Sequence, residues 1–204
     1  MTTRETDGIA GLLLAAGGGR RLGGRPKALL PHRGRPLLEH AVRMLREGGC
    51  GPLHVVLGAA SGDVRARADL EGCVIVENPA WEEGMGSSLR AGLDSLTDPD
   101  TGSGAAAALV LLVDQPGIGA AAVARVRAAY RSPASLVAAA YDGERGHPVL
   151  FGRDHWAGIA ASADGDRGAR AYLKEHAGAV ELVECGDVAQ AYDIDTAADL
   201  RHLE

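Results

Sequence analysis

The chain has 204 residues. That is enough for one sizeable α/β domain, which buries roughly 70% of the surface its unfolded chain exposes and needs no disulfide or metal to fold. A net charge of −6 and an aromatic content of 3% exclude the basic stripe and stacking platforms of a polymeric nucleic-acid binder, and no apolar run reaches the length of a membrane span.

Residues 9–14, IAGLLL, are a short apolar run closed by glycines and predict a buried strand. The run is too short to cross a membrane, and a Gly-rich basic stretch follows it rather than a cleavage site, so it is not read as a signal peptide. Between residues 8 and 38 there is no acid, while Arg20, Arg21, Arg25, Lys27, Arg33 and Arg35 form a patch suited to a compact anion. Lys27 is one of only two lysines in a chain that otherwise uses arginine, which points to a need for a compact ammonium there.

Residues 36–47 predict a helix with Pro36 at its first position and Gly48-Gly49 as its stop. A strand at 53–57, a helix at 63–70, a strand at 73–76 and a helix at 87–96 follow. Residues 97–104 read as a surface loop, 105–113 as a long apolar strand and 120–130 as a helix. The strand at 136–141 leads through Asp142-Gly143 to an extended piece at 147–151. A helix at 167–176, extended pieces at 180–184 and 191–194, and a helix at 196–203 close the chain. Alternating strands and helices predict one domain over residues 1–204, a three-layer α/β fold with a mostly parallel sheet covered on both faces. Ligands on such sheets bind beyond the carboxyl ends of strands. That rim holds the loop after Leu14, residues 77–85, residues 114–117 and the surroundings of Asp195.

Four segments on this rim carry chemistry. The first runs Leu14-Ala15-Ala16-Gly17-Gly18-Gly19-Arg20-Arg21 and on to Pro26-Lys27. Its glycines let backbone N–H groups approach a phosphate. It fits neither GxGxxG, because Leu22 stands at the third glycine, nor the Walker loop, because Pro26 precedes Lys27. The second, residues 77–90, is an irregular loop entering a helix, with Ser87 or Ser88 as the cap and Asn78 able to read a base edge. The third, Asp114-Gln115-Pro116, sets a carboxylate at a strand end, a natural Mg²⁺ ligand. In the fourth, residues 193–200, Asp193 and Asp195 share a face if extended; Asp195 can serve a metal or, with Thr196 and Asp199, cap the last helix.

Together these segments resemble the MobA-like nucleotidyltransferases, most closely their molybdenum cofactor cytidylyltransferase branch. The Gly loop matches LAAGxGxRxGxxxPK with Leu22 where the family has Met. Residues 78–89 match NPxWxxGMxxSL, and 193–200 match DIDTPxDL with Ala197 in place of Pro. GHPVLF at 146–151 and GDRGAR at 165–170 extend the likeness, which runs over residues 9–200. The guanylyl branch reads LAGG and CDxP where this chain has Ala15-Ala16 and Asp114-Gln115-Pro116.

The resemblance implies a Rossmann-like nucleotidyltransferase fold. It also implies Mg²⁺-dependent transfer of a nucleoside monophosphate, CMP from CTP, to a phosphorylated acceptor such as the molybdopterin cofactor. Asp114 and Asp195 would hold the metal, and Arg21, Lys27 and Asp114 would be catalytic. Leu14, Ala15, Ala16, Gly17, Gly18, Gly19, Lys27, Asn78, Ser87 and Ser88 would bind the nucleotide. Trp81, Met85, His147, Asp166 and Arg170 would bind the acceptor. A molybdoenzyme or its chaperone would be the partner. The widely spaced Cys50, Cys73 and Cys185, with no CxxC or zinc spacing, are expected to be reduced thiols in a soluble, cytoplasmic protein. Nothing in the spacing forces cytosine over uracil. A nicotinamide-dependent oxidoreductase is disfavoured by the failed GxGxxG, and a non-catalytic nucleotide sensor by the paired aspartates.

Overall fold

The structure, a computed structural model, describes residues 8–102 and 104–203; the start of the domain expected over 1–204 lies outside the described residues. β1 (Ile9–Leu14) is buried along its whole length, because it has no polar side chain to keep in water. It pairs in parallel with β4 (Leu53–Leu57) on one side and β6 (Ala107–Leu112) on the other, and β5 (Cys73–Glu77) continues beyond β4. β8 (Glu144–Gly152) runs antiparallel to both β6 and β7 (Leu136–Tyr141), and β9 (Val180–Glu184) runs parallel to β7. The sheet order is therefore β5-β4-β1-β6-β8-β7-β9, mostly parallel as the sequence predicts. A short hairpin of β2 (Pro31–His32) and β3 (Arg35–Pro36) stands apart from it.

Alternation along β1 divides the interior in two. Ile9 and Leu13 join a core shared with α1 (Leu37–Glu47) and α4 (Ala120–Ala128), whereas Ala10, Leu12 and Leu14 join a core under α3 (Met85–Thr97) and α5 (Trp156–Ser162). α2 (Ser61–Arg67) adds Val64 to the first core, and α6 (Arg170–Glu175) adds Leu173 to the second. Leu12 and Leu13 are fully buried, so truncating either to Ala would cost about 2–5 kcal/mol. No helix among the described residues is long and apolar enough to cross a membrane.

Several boundaries differ from the sequence reading. Pro36 is not helical: it pairs with Pro31 in the hairpin, and α1 starts one residue later. α3 starts at Met85, so neither Ser87 nor Ser88 caps it; Gly84 occupies the cap, with φ of 106°. Residues 191–194 join no strand, and Ala197–Leu203 form 3₁₀ turns rather than an α-helix. α5 was not expected, since WAGIAAS has too little apolar periodicity to announce it. His147 and Pro148 fall in a register shift between β7 and β8: Val149 pairs with Ala138, but Gly146 pairs with Ala139. Pro148 has no N–H for the ladder, so the bulge falls where the chain cannot pair.

Candidate active site

The carboxyl ends of β1 and β6 and the beginning of antiparallel β8 meet on one rim, over a cleft of about 1050 Å³. The first wall is the Gly loop. Leu14 and Ala16 line the cleft at its base, and Gly17 and Gly18 form its lip. Among the described residues no hydrogen bond takes the Gly17 or Gly18 amides, so both remain for an incoming oxyanion. The Trp81 ring lies close behind: a Cβ on Gly18 would sit 3.1 Å from it. Ala15 and Gly19 do not line the cleft. Ala15 donates its N–H to Val56 O and packs in the core, while Gly19 turns the loop with φ of 61°. A side chain on Gly19 would collide with the Arg25 carbonyl, so only glycine fits.

At the centre, Lys27 Nζ lies 2.7 Å from Asp114 Oδ2 and 2.5 Å from Asp195 Oδ1. The carboxylates come from loops far apart in sequence, joined by two further bonds. Ile194 N donates to Asp114 O at 2.9 Å, and Gln115 Nε2 donates to Asp193 Oδ1 at 2.7 Å. Gln115 and Asp193 were not among the expected site residues, yet both line the cleft; their adjacency to Asp114 and Asp195 was the available signal. Asp195 is free to face Lys27 because Asp199 does the capping: its Oδ2 accepts from Asp195 N, Thr196 N and Thr196 Oγ1. Burial pushes the Asp114 carboxyl above the usual aspartate range, with Lys27 pulling against it. Burial likewise disfavours the Lys27 ammonium, but Asp114 and then Asp195 hold its pKa above that of an ordinary lysine.

No cluster of three or more His, Cys, Asp or Glu side chains among the described residues forms a metal cage. The Asp114–Asp195 pair nevertheless fits Mg²⁺, which typically takes one or two carboxylates and completes its shell with water and substrate phosphates. That the ammonium already lies within hydrogen-bond reach of both carboxylates shows that the pair accepts a cation between them.

The far wall collects the candidate acceptor residues. Trp81, Met85, His147, Asp166 and Arg170 all line the cleft, joined by Arg145 and Arg167, which the sequence reading did not assign. Arg145 stands two residues before His147 on β8, the spacing that would have paired them on one face of a regular strand. Burial, then Arg170 and Arg145, push the His147 pKa down to about 4, so the ring is neutral at pH 7. Gly84 lets two loops approach here, since a Cβ on it would lie 2.6 Å from Asp166 Oδ1.

Two expected roles are corrected. Asn78 does not read a base: its Nδ2 donates to Ser87 Oγ and Ser88 Oγ, and its Oδ1 accepts from Ala80 N. Both amide protons are spent within the loop, and neither Asn78 nor Ser87 lines the cleft. Ser87 Oγ, in turn, faces the carbonyls of Ala80 and Gly84, which braces the start of α3; Ser88 alone of the three borders the cleft.

A family model described as the MobA-like NTP transferase domain matches residues 11–180. Nicotine blue oxidoreductase of Paenarthrobacter nicotinovorans is 40% identical over 202 residues, covering 96% of both chains. A probable molybdenum cofactor guanylyltransferase of Opitutus terrae is 35% identical over 135 residues, 66% of this chain and 62% of that protein. Among solved structures, Rv0371c of Mycobacterium tuberculosis in complex with manganese has a TM-score of 0.75 at 30% identity, covering 96% of this chain and 97% of that one.

Proposed function

Because the chain belongs to the MobA-like NTP transferase family, we propose that it moves a nucleoside monophosphate from an NTP to a phosphorylated acceptor and releases pyrophosphate. The observation that carries this reading is what one cleft gathers: Arg20 and Arg21 on the Gly loop, Lys27 with Asp114 and Asp195, and Arg145, Arg167 and Arg170. Two anionic substrates would thus meet over the carboxylate pair. A phosphate oxygen of the acceptor attacks the α-phosphorus, and the bond to the β-phosphate breaks as pyrophosphate leaves. No protein nucleophile is needed, and the residues act by positioning and by neutralising charge.

The Gly17 and Gly18 amides would cradle the triphosphate, and Arg21 would meet charge on the leaving pyrophosphate. Lys27, whose ammonium lies within reach of both carboxylates, would meet charge on the α-phosphate. Mg²⁺ held by Asp114 and Asp195 would supply charge neutralisation across the phosphates. The manganese in the Rv0371c structure supports a divalent ion in this family. On the acceptor side, Arg170 and Arg145 would bind an anionic group, and neutral His147 would offer a hydrogen bond without adding charge.

CTP is the proposed donor and the molybdopterin cofactor the proposed acceptor, for delivery to a molybdoenzyme or its chaperone. Ala15-Ala16 and Asp114-Gln115-Pro116 support the cytidylyl side, whereas the 35% identical relative carries a guanylyltransferase name. A second reading rests on the 40% identical relative, whose name is that of an oxidoreductase. On that reading the same Gly loop would hold the pyrophosphate of a nicotinamide dinucleotide. Pyrophosphate release with each NTP, Mg²⁺ and molybdopterin, beside oxidation of NADH and NADPH by an added redox dye without NTP, tests both. CTP-dependent release is expected. Release with GTP alone would reassign the base, and dinucleotide oxidation without NTP turnover would overturn the transferase reading.

A further inference from the structure

A second cavity of about 520 Å³ lies between the β2–β3 hairpin, α1 and the turn before β5, and it shares no lining residue with the substrate cleft. Two histidines, His32 and His40, line it with their rings edge-on at 4.6 Å, both nearly buried. Each is bonded to a carbonyl, which can only accept, so the proton positions are fixed. His32 Nδ1 donates to Leu203 O at 3.3 Å, and His40 Nε2 donates to Pro116 O at 3.2 Å. Burial, then His32 and the nearby arginines, push the His40 pKa down to about 4, so its other nitrogen carries a lone pair. Burial and the Arg33 and Arg43 charges lower His32 as well, and its Nε2 has no partner among the described residues.

Of the four arginines around this cavity, two are engaged by residues of its own wall. Arg35 faces Glu39 at 3.9 Å, and Arg46 donates to Glu71 O. Arg33 and Arg43 have no carboxylate within 4.0 Å among the described residues; Arg43 reaches only His40 Nδ1, at a long 3.5 Å. Two of the three acids here are also occupied, Glu39 accepting from Asp69 N and Asp69 accepting from Glu71 N. What remains is a pair of guanidinium groups beside two histidines, neither with a carboxylate within 4.0 Å among the described residues, although Glu39, Asp69 and Glu71 share the cavity wall. We infer that this cavity binds a compact phosphate-type anion, held by Arg33 and Arg43 over the His32–His40 pair. Guanidinium forks match phosphate oxygens two at a time. A phosphate that keeps one proton supplies the donor that His32 Nε2 lacks. The site lies one hydrogen bond from the Asp114 loop, since Pro116 follows Asp114 by two residues, and it also touches the far end of the turns that follow Asp195, at Leu203.

The seven histidine rings give a direct readout. Long-range ¹H–¹⁵N correlation spectra of the labelled full chain are recorded during titration with inorganic phosphate and, separately, with glycerol 3-phosphate. Saturable movement of the His32 and His40 signals with either is expected, and the tighter of the two identifies free phosphate or a monoester as the ligand type. His147 reports phosphate entering the substrate cleft and serves as the internal control. Arg43→Gln, at an exposed helical position, should weaken the His32 and His40 response roughly tenfold or more while leaving any His147 response unchanged. Arg33→Asn, which tolerates the φ of 50° there, should do the same. Unmoved His32 and His40 signals, or an unchanged midpoint in both variants, would overturn the site.

Discussion

Lys27 Nζ lies 2.5 Å from Asp195 Oδ1, across 168 positions of sequence. The contact joins the loop after the first strand to the loop before the last turns, and Asp114 completes it from β6. A divalent ion seeking both carboxylates must therefore displace an ammonium. Lys27→Met should tighten Mn²⁺ binding to the nucleotide-free protein, seen as a lower dissociation constant by electron paramagnetic resonance, while turnover falls roughly 10²–10³-fold. Lys27→Arg should also fail in turnover, because a planar guanidinium cannot replace the compact ammonium between two carboxylates and a phosphate. Equal Mn²⁺ affinity in wild type and Lys27→Met would remove the competition.

Asp114→Ala should cost turnover at least as much, yet leave a folded protein. Asp114 stands at a strand end on the cleft wall, outside both apolar cores, and Lys27 keeps Asp195 as a partner. Near-normal steady-state rates at saturating Mg²⁺ would take Asp114 out of the site.

Asn78→Ala should act on stability rather than on base choice. It removes the partner of the Ser88 hydroxyl and of the Ala80 N–H inside the loop and a donor to Ser87 Oγ, which keeps the Ala80 and Gly84 carbonyls. A loss of about 1–3 kcal/mol in urea unfolding is expected for buried groups left without partners. A changed ratio of CTP to GTP binding by calorimetry, with unaltered stability, would restore Asn78 as a base reader.

Stability should fall in mild acid through His40. An unfolded histidine takes up its proton near pH 6.5, whereas the folded His40 does so only near pH 4. Between these values the unfolded state binds more protons, so stability rises with pH through the window and is complete above it. The shift is worth roughly 2 kcal/mol at pH 5. Urea unfolding at pH 5 and pH 7 should differ less in His40→Gln than in wild type by about that amount. An identical pH dependence in the two proteins would show that His40 is not the group responsible.

Much of the frame was legible because it is written locally. IAGLLL, followed by Ala15-Ala16 and three glycines, reads as a buried strand ending in a turn. Asp114 announced itself by ending an uninterrupted apolar run. The partners of Asn78 were not legible: they stand nine and ten residues away, and only the way the loop folds back on α3 brings them within reach. The β2–β3 hairpin was too short to show periodicity. Arg145 was missed because the extended piece was placed at 147–151, whereas β8 starts at Glu144; Arg145, His147, Val149 and Phe151 all line the cleft.

The reversed direction of β8 gives the molecule a division of labour. The strands that end in the Gly loop and Asp114 are parallel and deeply held, whereas the far wall of the cleft begins near the β7–β8 turn, where Asp142 and Gly143 donate their amides to the Glu184 carboxylate. That turn is exposed and bears on neither core. Its residues can change without disturbing either core, whereas Trp81, Met85, Asp166, Arg167 and Arg170 reach the same wall from other elements. On the proposed function, a graft of residues 142–147 between relatives would therefore carry only the Arg145 and His147 share of acceptor choice and leave the Lys27–Asp114–Asp195 contacts where they stand.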